Sequence, residues 1–108
     1  MARYLFQVSI KPEVHATMMK NPHDRGEAVR PIFEAVGGRL EEYYFAIGES
    51  TVYLLAEIPD HVSLGAVSMA TLAGGAITAI KTTALLTAQE AIDMMKKAAE
   101  VAYRPPTT

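Results

Sequence analysis

Glu57 and Lys81 are the two residues of this chain best suited to act together. Each stands among apolar and β-branched neighbours, Glu57 in STVYLLAEIP and Lys81 in AITAIKTTALL. A carboxylate in such a setting can take a proton from a carbon next to a carbonyl, with Lys81 or the Tyr53 phenol as its polar partner. The same two groups could instead flank a bound polar molecule, or form a structural ion pair. Around them, Gln7, Ser9, Tyr44 and Tyr53 offer hydrogen bonds from strand segments, and Arg25 offers a cation from a loop rim. These seven residues are the candidate site: Glu57 and Lys81 for catalysis, Gln7, Ser9, Tyr44, Tyr53 and Arg25 for ligand binding.

Other residue groups carry weaker signals. His15, His23 and His61 share no metal-ligand spacing, and a strand-to-helix corner at Pro59-Asp60 separates Glu57 from His61, so no metal site is expected. Arg30 could join Arg25 in drawing an anion towards Asn21-Pro-His-Asp-Arg25. Ala73-Gly-Gly-Ala76 lacks the lysine and the strand-to-helix order of a phosphate loop. With no cysteine in the chain, thiol catalysis, disulfides and iron–sulfur clusters are excluded. No cofactor is implied.

Local patterning supplies the elements that must hold these groups. Tyr4 to Ile10 alternates with period two and reads as a strand. Residues 13 to 20 form a short helix candidate that Asn21-Pro22 interrupts. A second helix is expected from about Asp24, its N-cap, to Val36, with Val29, Ile32, Phe33 and Val36 as its buried stripe and Pro31 inside it. Strands follow over Arg39 to Ile47 and Thr51 to Ile58, joined by Gly48-Glu49-Ser50. Asp60 caps a helix over about His61 to Ala73, with Val62, Ala66, Met69, Ala70 and Ala73 as its packing face. Ala76 to Leu85 is a fourth strand. Thr87-Ala-Gln-Glu90 is a capping box that starts a last helix, about Ala88 to Val101. Residues 1 to 102 make one domain, and 103 to 108 a flexible tail.

The order β-α-β-β-α-β-α contains the ferredoxin-like, split βαβ plan of an α+β sandwich, with one extra C-terminal helix. In that plan the third and fourth strands flank the first, which places Glu57 and Lys81 on either side of it, near Gln7 or Ser9. The helix-covered face takes Phe6, Val8, Val52, Leu54, Ala56 and Ile58. The open face takes Leu5, Gln7, Ser9, Tyr53, Leu55 and Glu57, together with Ile77, Ala79, Lys81 and Thr83 of the last strand.

Bulk properties narrow the partners. A chain of 108 residues is enough for one domain, and half of them are apolar. A domain of this size buries only roughly 65% of its unfolded surface, so the apolar excess points to a second buried surface. The mixed open face could supply it: two sheets face to face would enclose a partly polar interior, making a homodimer or higher oligomer. The net charge is -2 and the basic residues are scattered, which argues against nucleic acid. No apolar run reaches the ~18 residues of a membrane span, and MARYLFQVSI does not read as a secretory signal, so a cytoplasmic location is expected.

Three stretches carry a resemblance that covers about residues 1 to 100: MARYLFQVSI; NPHDRGEAVRPIFEAVGGRLEEYYFAIG; and AEIPD followed by GGAITAIKTTALLTAQEA. They resemble GYD domain proteins. The resemblance implies a ferredoxin-like protomer that pairs as a dimeric α+β barrel. The Gly-Tyr-Asp tripeptide that names the family falls on Gly48-Glu49-Ser50 here, which keeps the turn glycine and replaces the other two residues. The family brings a fold and little chemistry. Three readings of function follow: an oligomer that binds a small organic molecule between its sheets, a cofactor-independent enzyme acting on a carbonyl compound through Glu57, or a ligand-free assembly module.

Overall fold

The structure is a computed structural model describing residues 1–107; Thr108, the end of the expected tail, lies outside the described residues. Four segments of alternating pattern become β1 (Ala2–Ile10), β2 (Arg39–Phe45), β3 (Thr51–Ile58) and β4 (Ile77–Leu85). They form one antiparallel sheet in the order β2-β3-β1-β4, the ferredoxin-like arrangement expected of an α+β domain. The helices are α1 (Pro12–Lys20), α2 (Arg25–Glu34), α3 (His61–Ala73) and α4 (Ala88–Glu100). No helix among the described residues is long and apolar enough to cross a membrane.

The core lies between one face of the sheet and helices α2 and α3. Tyr4, Phe6, Val8 and Ile10 alternate inward along β1, and Val52, Leu54, Ala56 and Ile58 along β3. Phe33 of α2, Val67 of α3 and Leu40 of β2 complete it. The Phe6 and Phe33 rings meet edge to face at 5.9 Å. Helix starts follow their capping residues. Asp24 accepts from the Glu27 amide at 3.1 Å, and Asp60 from the Ser63 amide at 2.8 Å. The Thr87 hydroxyl accepts from the Glu90 amide, while the Glu90 carboxylate accepts from the Thr87 amide. Gly48 turns the β2–β3 hairpin with φ of +84°, a conformation that favours glycine. Gly38 lets the chain enter β2 against β3, since a Cβ there would lie 2.5 Å from the Glu57 carbonyl oxygen.

Several expectations needed correction. β1 begins two residues earlier, at Ala2, because Arg3 pairs with both Glu57 and Leu85. α2 runs through Pro31 and ends at Glu34, and β2 stops at Phe45. α3 buries Val67 and half-buries Leu64, whereas Val62 and Met69 of the expected packing face are 84% and 75% exposed. This helix is apolar around most of its circumference, so periodicity could not choose its inner face; packing on the sheet does. Ile77 packs with the core rather than on the open face. The ladder shifts between Ser9 and Ile10, so Ile77 pairs with buried Ile10 while Ala79 pairs with Ser9.

α4 stands apart. It contributes no buried residue, and Ile92, Met94 and Met95 are all exposed. The Cα radius of gyration is 17.4 Å, with extents of 56 × 37 × 24 Å. A compact chain of this length would have a radius near ~13 Å.

Candidate functional site

The strand registers arrange the open face as a grid. One end row reads Arg39, Glu57, Arg3, Leu85 across the four strands. The middle row reads Glu42, Leu55, Leu5, Thr83. The next reads Tyr44, Tyr53, Gln7, Lys81, and beyond it Ser9 lies between Thr51 and Ala79.

Glu57 and Lys81 therefore share a face, but not a row. Lys81 is beside Gln7, as expected, whereas Glu57 is beside Arg3, four residues away along β1. Four residues along a strand and two strands across separate their backbones by roughly 16 Å, beyond mutual side-chain reach. The expectation that both flank one point near Gln7 or Ser9 fails because it fixed the strand order without the register.

The partners of Glu57 are arginines. Its carboxylate accepts from Arg3 at 3.2 Å and from Arg39 at 3.4 Å. Arg3 also grips Glu41 with two bonds, Nε to Oε1 at 2.8 Å and a terminal nitrogen to Oε2 at 3.3 Å. That hydrogen-bonded pairing holds the Glu41 carboxyl below its usual range, with partial burial opposing it, and raises Arg3. Glu41 reaches this face because β2 carries a bulge between Leu40 and Glu42. None of Arg3, Arg39 or Glu41 was among the sequence candidates. The signal was present: Arg3 continues the outward alternation of Leu5 and Gln7, and Leu40 and Tyr43 are spaced three apart although both pack with the core.

The tyrosine row differs. Among the described residues, the side chains of Tyr44, Tyr53, Gln7 and Lys81 make no hydrogen bond or ion pair. Tyr44 is 54% exposed. The neighbouring aromatics of β2 lie elsewhere: Tyr43 and Phe45 pack together on the opposite face, with ring centroids 5.4 Å apart. Ser9 lies one row beyond, its carbonyl accepting from Thr78 at 3.4 Å.

Arg25 is on the covered side, away from the other candidates. It lines a cleft of about 430 Å³ between the sheet and helices α1 to α3. Tyr43 lines the same cleft; burial pushes its phenol up, and the neighbouring Arg25 partly offsets that. Arg30 is committed elsewhere, to Glu27 at 3.0 Å and to the Leu40 carbonyl at 2.9 Å. His23 is bonded through Nδ1 to the Asn21 carbonyl at 2.8 Å. Among the described residues, no three His, Asp or Glu side chains gather as a metal site.

The GYD domain model matches residues 4–95. The chain belongs to the GYD domain family. Among solved structures it is similar to an uncharacterized NIPSNAP-like domain protein from Burkholderia xenovorans, at 17% identity and a TM-score of 0.44, over 99% of this chain and 90% of that one. Among curated proteins nothing matches. In this GYD domain protein the sheet leaves one face uncovered by its own helices, and that face carries six of the seven candidate residues.

Proposed function

We propose that this GYD domain protein is a homo-oligomer that holds a small polar organic molecule between the open faces of paired sheets, at the tyrosine row. The supporting observation is the contrast along that face. Charges at one end are bonded to one another, whereas Tyr44, Tyr53, Gln7 and Lys81 keep all their polar groups available. Uncommitted polar groups in one row, beside the apolar Leu5 and Leu55, suit a ligand that is part ring or chain and part hydrogen-bonding head. A four-stranded face of this length offers roughly 500 Å² per protomer from strand spacing and rise. Two such faces reach about 1,000 Å², the lower bound for a specific interface. The exposed apolar side chains of α4 would add to it.

Glu57 serves in this reading as the centre of an ion network rather than as an acid or base, because two guanidiniums share its carboxylate. Gly48-Glu49-Ser50 takes the place of the family's tripeptide as a turn, supported by the positive φ of Gly48.

Native mass spectrometry of the purified protein tests the proposal. An even oligomer carrying a stoichiometric organic molecule, lost in Tyr53→Phe with Lys81→Ala but kept in Glu57→Gln, is the expected result. A ligand-free monomer would overturn both the pairing and the pocket. Ligand loss or turnover loss in Glu57→Gln alone would return the role to the carboxylate.

A further inference from the structure

The cleft beneath the helices is separate from the open sheet face, and what it could hold does not depend on the sheet-pairing proposal. Val8, Val52 and Leu54 form its floor, and Met18, Val29 and Val67 come from the three helices around it. Interiors are normally packed with few voids larger than a water molecule. A space of about 430 Å³ is instead the size of a small-molecule site. Water suits it poorly, because an ordered water needs two to four polar partners and these walls offer few.

Its polar side chains are few. Thr71 donates its hydroxyl to the carbonyls of Val67 and Ser68 within α3. Ser68 adds one more hydroxyl. Arg25 and Tyr43 stand together at the α2–β2 end. Arg25 occupies the first position of α2, where the helix dipole disfavours a cation. It makes no ion pair among the described residues. The nearby acids are engaged: Asp24 caps the helix, and Glu27 pairs with Arg30. An arginine held half-buried against the dipole beside a phenol lacks an anion.

We infer that this cleft binds an apolar monocarboxylate, its chain or ring against Val8, Val52 and Leu54 and its carboxylate on Arg25 and the Tyr43 hydroxyl. The acid would supply the missing counter-charge, and the apolar body would cover walls that offer water few partners.

Isothermal titration of the 108-residue chain with decanoate and with 1-decanol tests this. Decanoate should bind once per chain, about tenfold or more tighter than the alcohol, the difference that one charge-assisted bond supplies. Arg25→Gln should reduce decanoate to the affinity of decanol, with an unchanged melting temperature. Tyr43→Phe should give a smaller loss, and Ala70→Phe, at the cleft lining, should block both compounds. Lys81→Ala, which belongs to the open face, should leave the decanoate affinity of the cleft as it is, and that separates the two sites. Equal binding of acid and alcohol, no binding of either, or full affinity in Arg25→Gln would overturn the inference. So would loss in Lys81→Ala, which would move the acid to the tyrosine row. Binding that appears only in Ile92→Glu/Met95→Glu would overturn it too, by placing α4 of a second copy in the cleft.

Discussion

The two ends of the open sheet face are built from the same strands and differ in what their polar groups do. At the Arg3 end, four charged side chains satisfy one another across three strands. At the Lys81 end, a lysine, an amide and two phenols point from the same surface and bond to nothing among the described residues. A saturated network contributes rigidity and register. An unsaturated row keeps its hydrogen-bonding capacity for something else. Both rows are polar to a reader of composition; the ladder distinguishes them.

The largest expected effect sets the scale for this comparison from outside it. Ile58→Ala removes a fully buried side chain from the covered face and should cost about 2–5 kcal/mol in urea or thermal unfolding. Leu55→Ala, three residues earlier on the same strand and on the open face, sharpens the contrast. It should cost less than Ile58→Ala in a monomer and approach it in a sheet-paired dimer, where the loss would also depend on protein concentration.

Next in size is Arg3→Gln, which takes away the guanidinium that Glu41 of β2 and Glu57 of the adjacent β3 share. It should lower the melting temperature less than the core truncation and visibly more than Lys81→Gln at the opposite end. Equal effects at the two ends would break the distinction. Acid should act on the same end. The folded Glu41 pKa is depressed, so its stabilisation is fully present above the unfolded carboxylate pKa and is lost as pH falls through the folded value. Stability measured from neutral pH downward should therefore decline in the acid range, and Arg3→Gln should flatten that decline.

Smaller still is Thr87→Ala. Loss of the capping box should cost about 1 kcal/mol, read as faster amide exchange in the first turn of α4 rather than as global unfolding, because α4 has no buried residue. Tyr53→Phe and Lys81→Ala should leave thermal stability nearly unchanged. Their effect belongs to ligand retention, and a large loss of stability from either would place the tyrosine row in structure rather than in binding.

Much of the architecture was legible because it is encoded locally. Alternation along Tyr4–Ile10 and Thr51–Ile58 assigned both faces correctly, and Asp24, Asp60 and Thr87 marked their helices through bonds to amides three residues ahead. Where local signals were degenerate, reading failed. α3 is apolar on most sides, so its buried side, through Val67, could not be picked out. Ile77 follows the alternation of β4 yet turns inward, since a ladder irregularity against β1 resets it. The candidate residues shared this fate: Tyr44, Tyr53, Gln7 and Lys81 fell into one row, while Glu57 and Arg25 went to other places.

By itself the sequence determined the order of elements, their caps and turns, and which side of most strands faces the helices, since these depend on residues within a few positions of each other. Tertiary structure alone decided which charges meet. Arg3 and Glu57 are 54 residues apart, and their pairing rests on strand register and on a bulge in β2 that turns Glu41 towards them. It also decided that the helices leave a cleft beside Arg25, because a gap is a property of how three helices sit on a sheet and of no single segment.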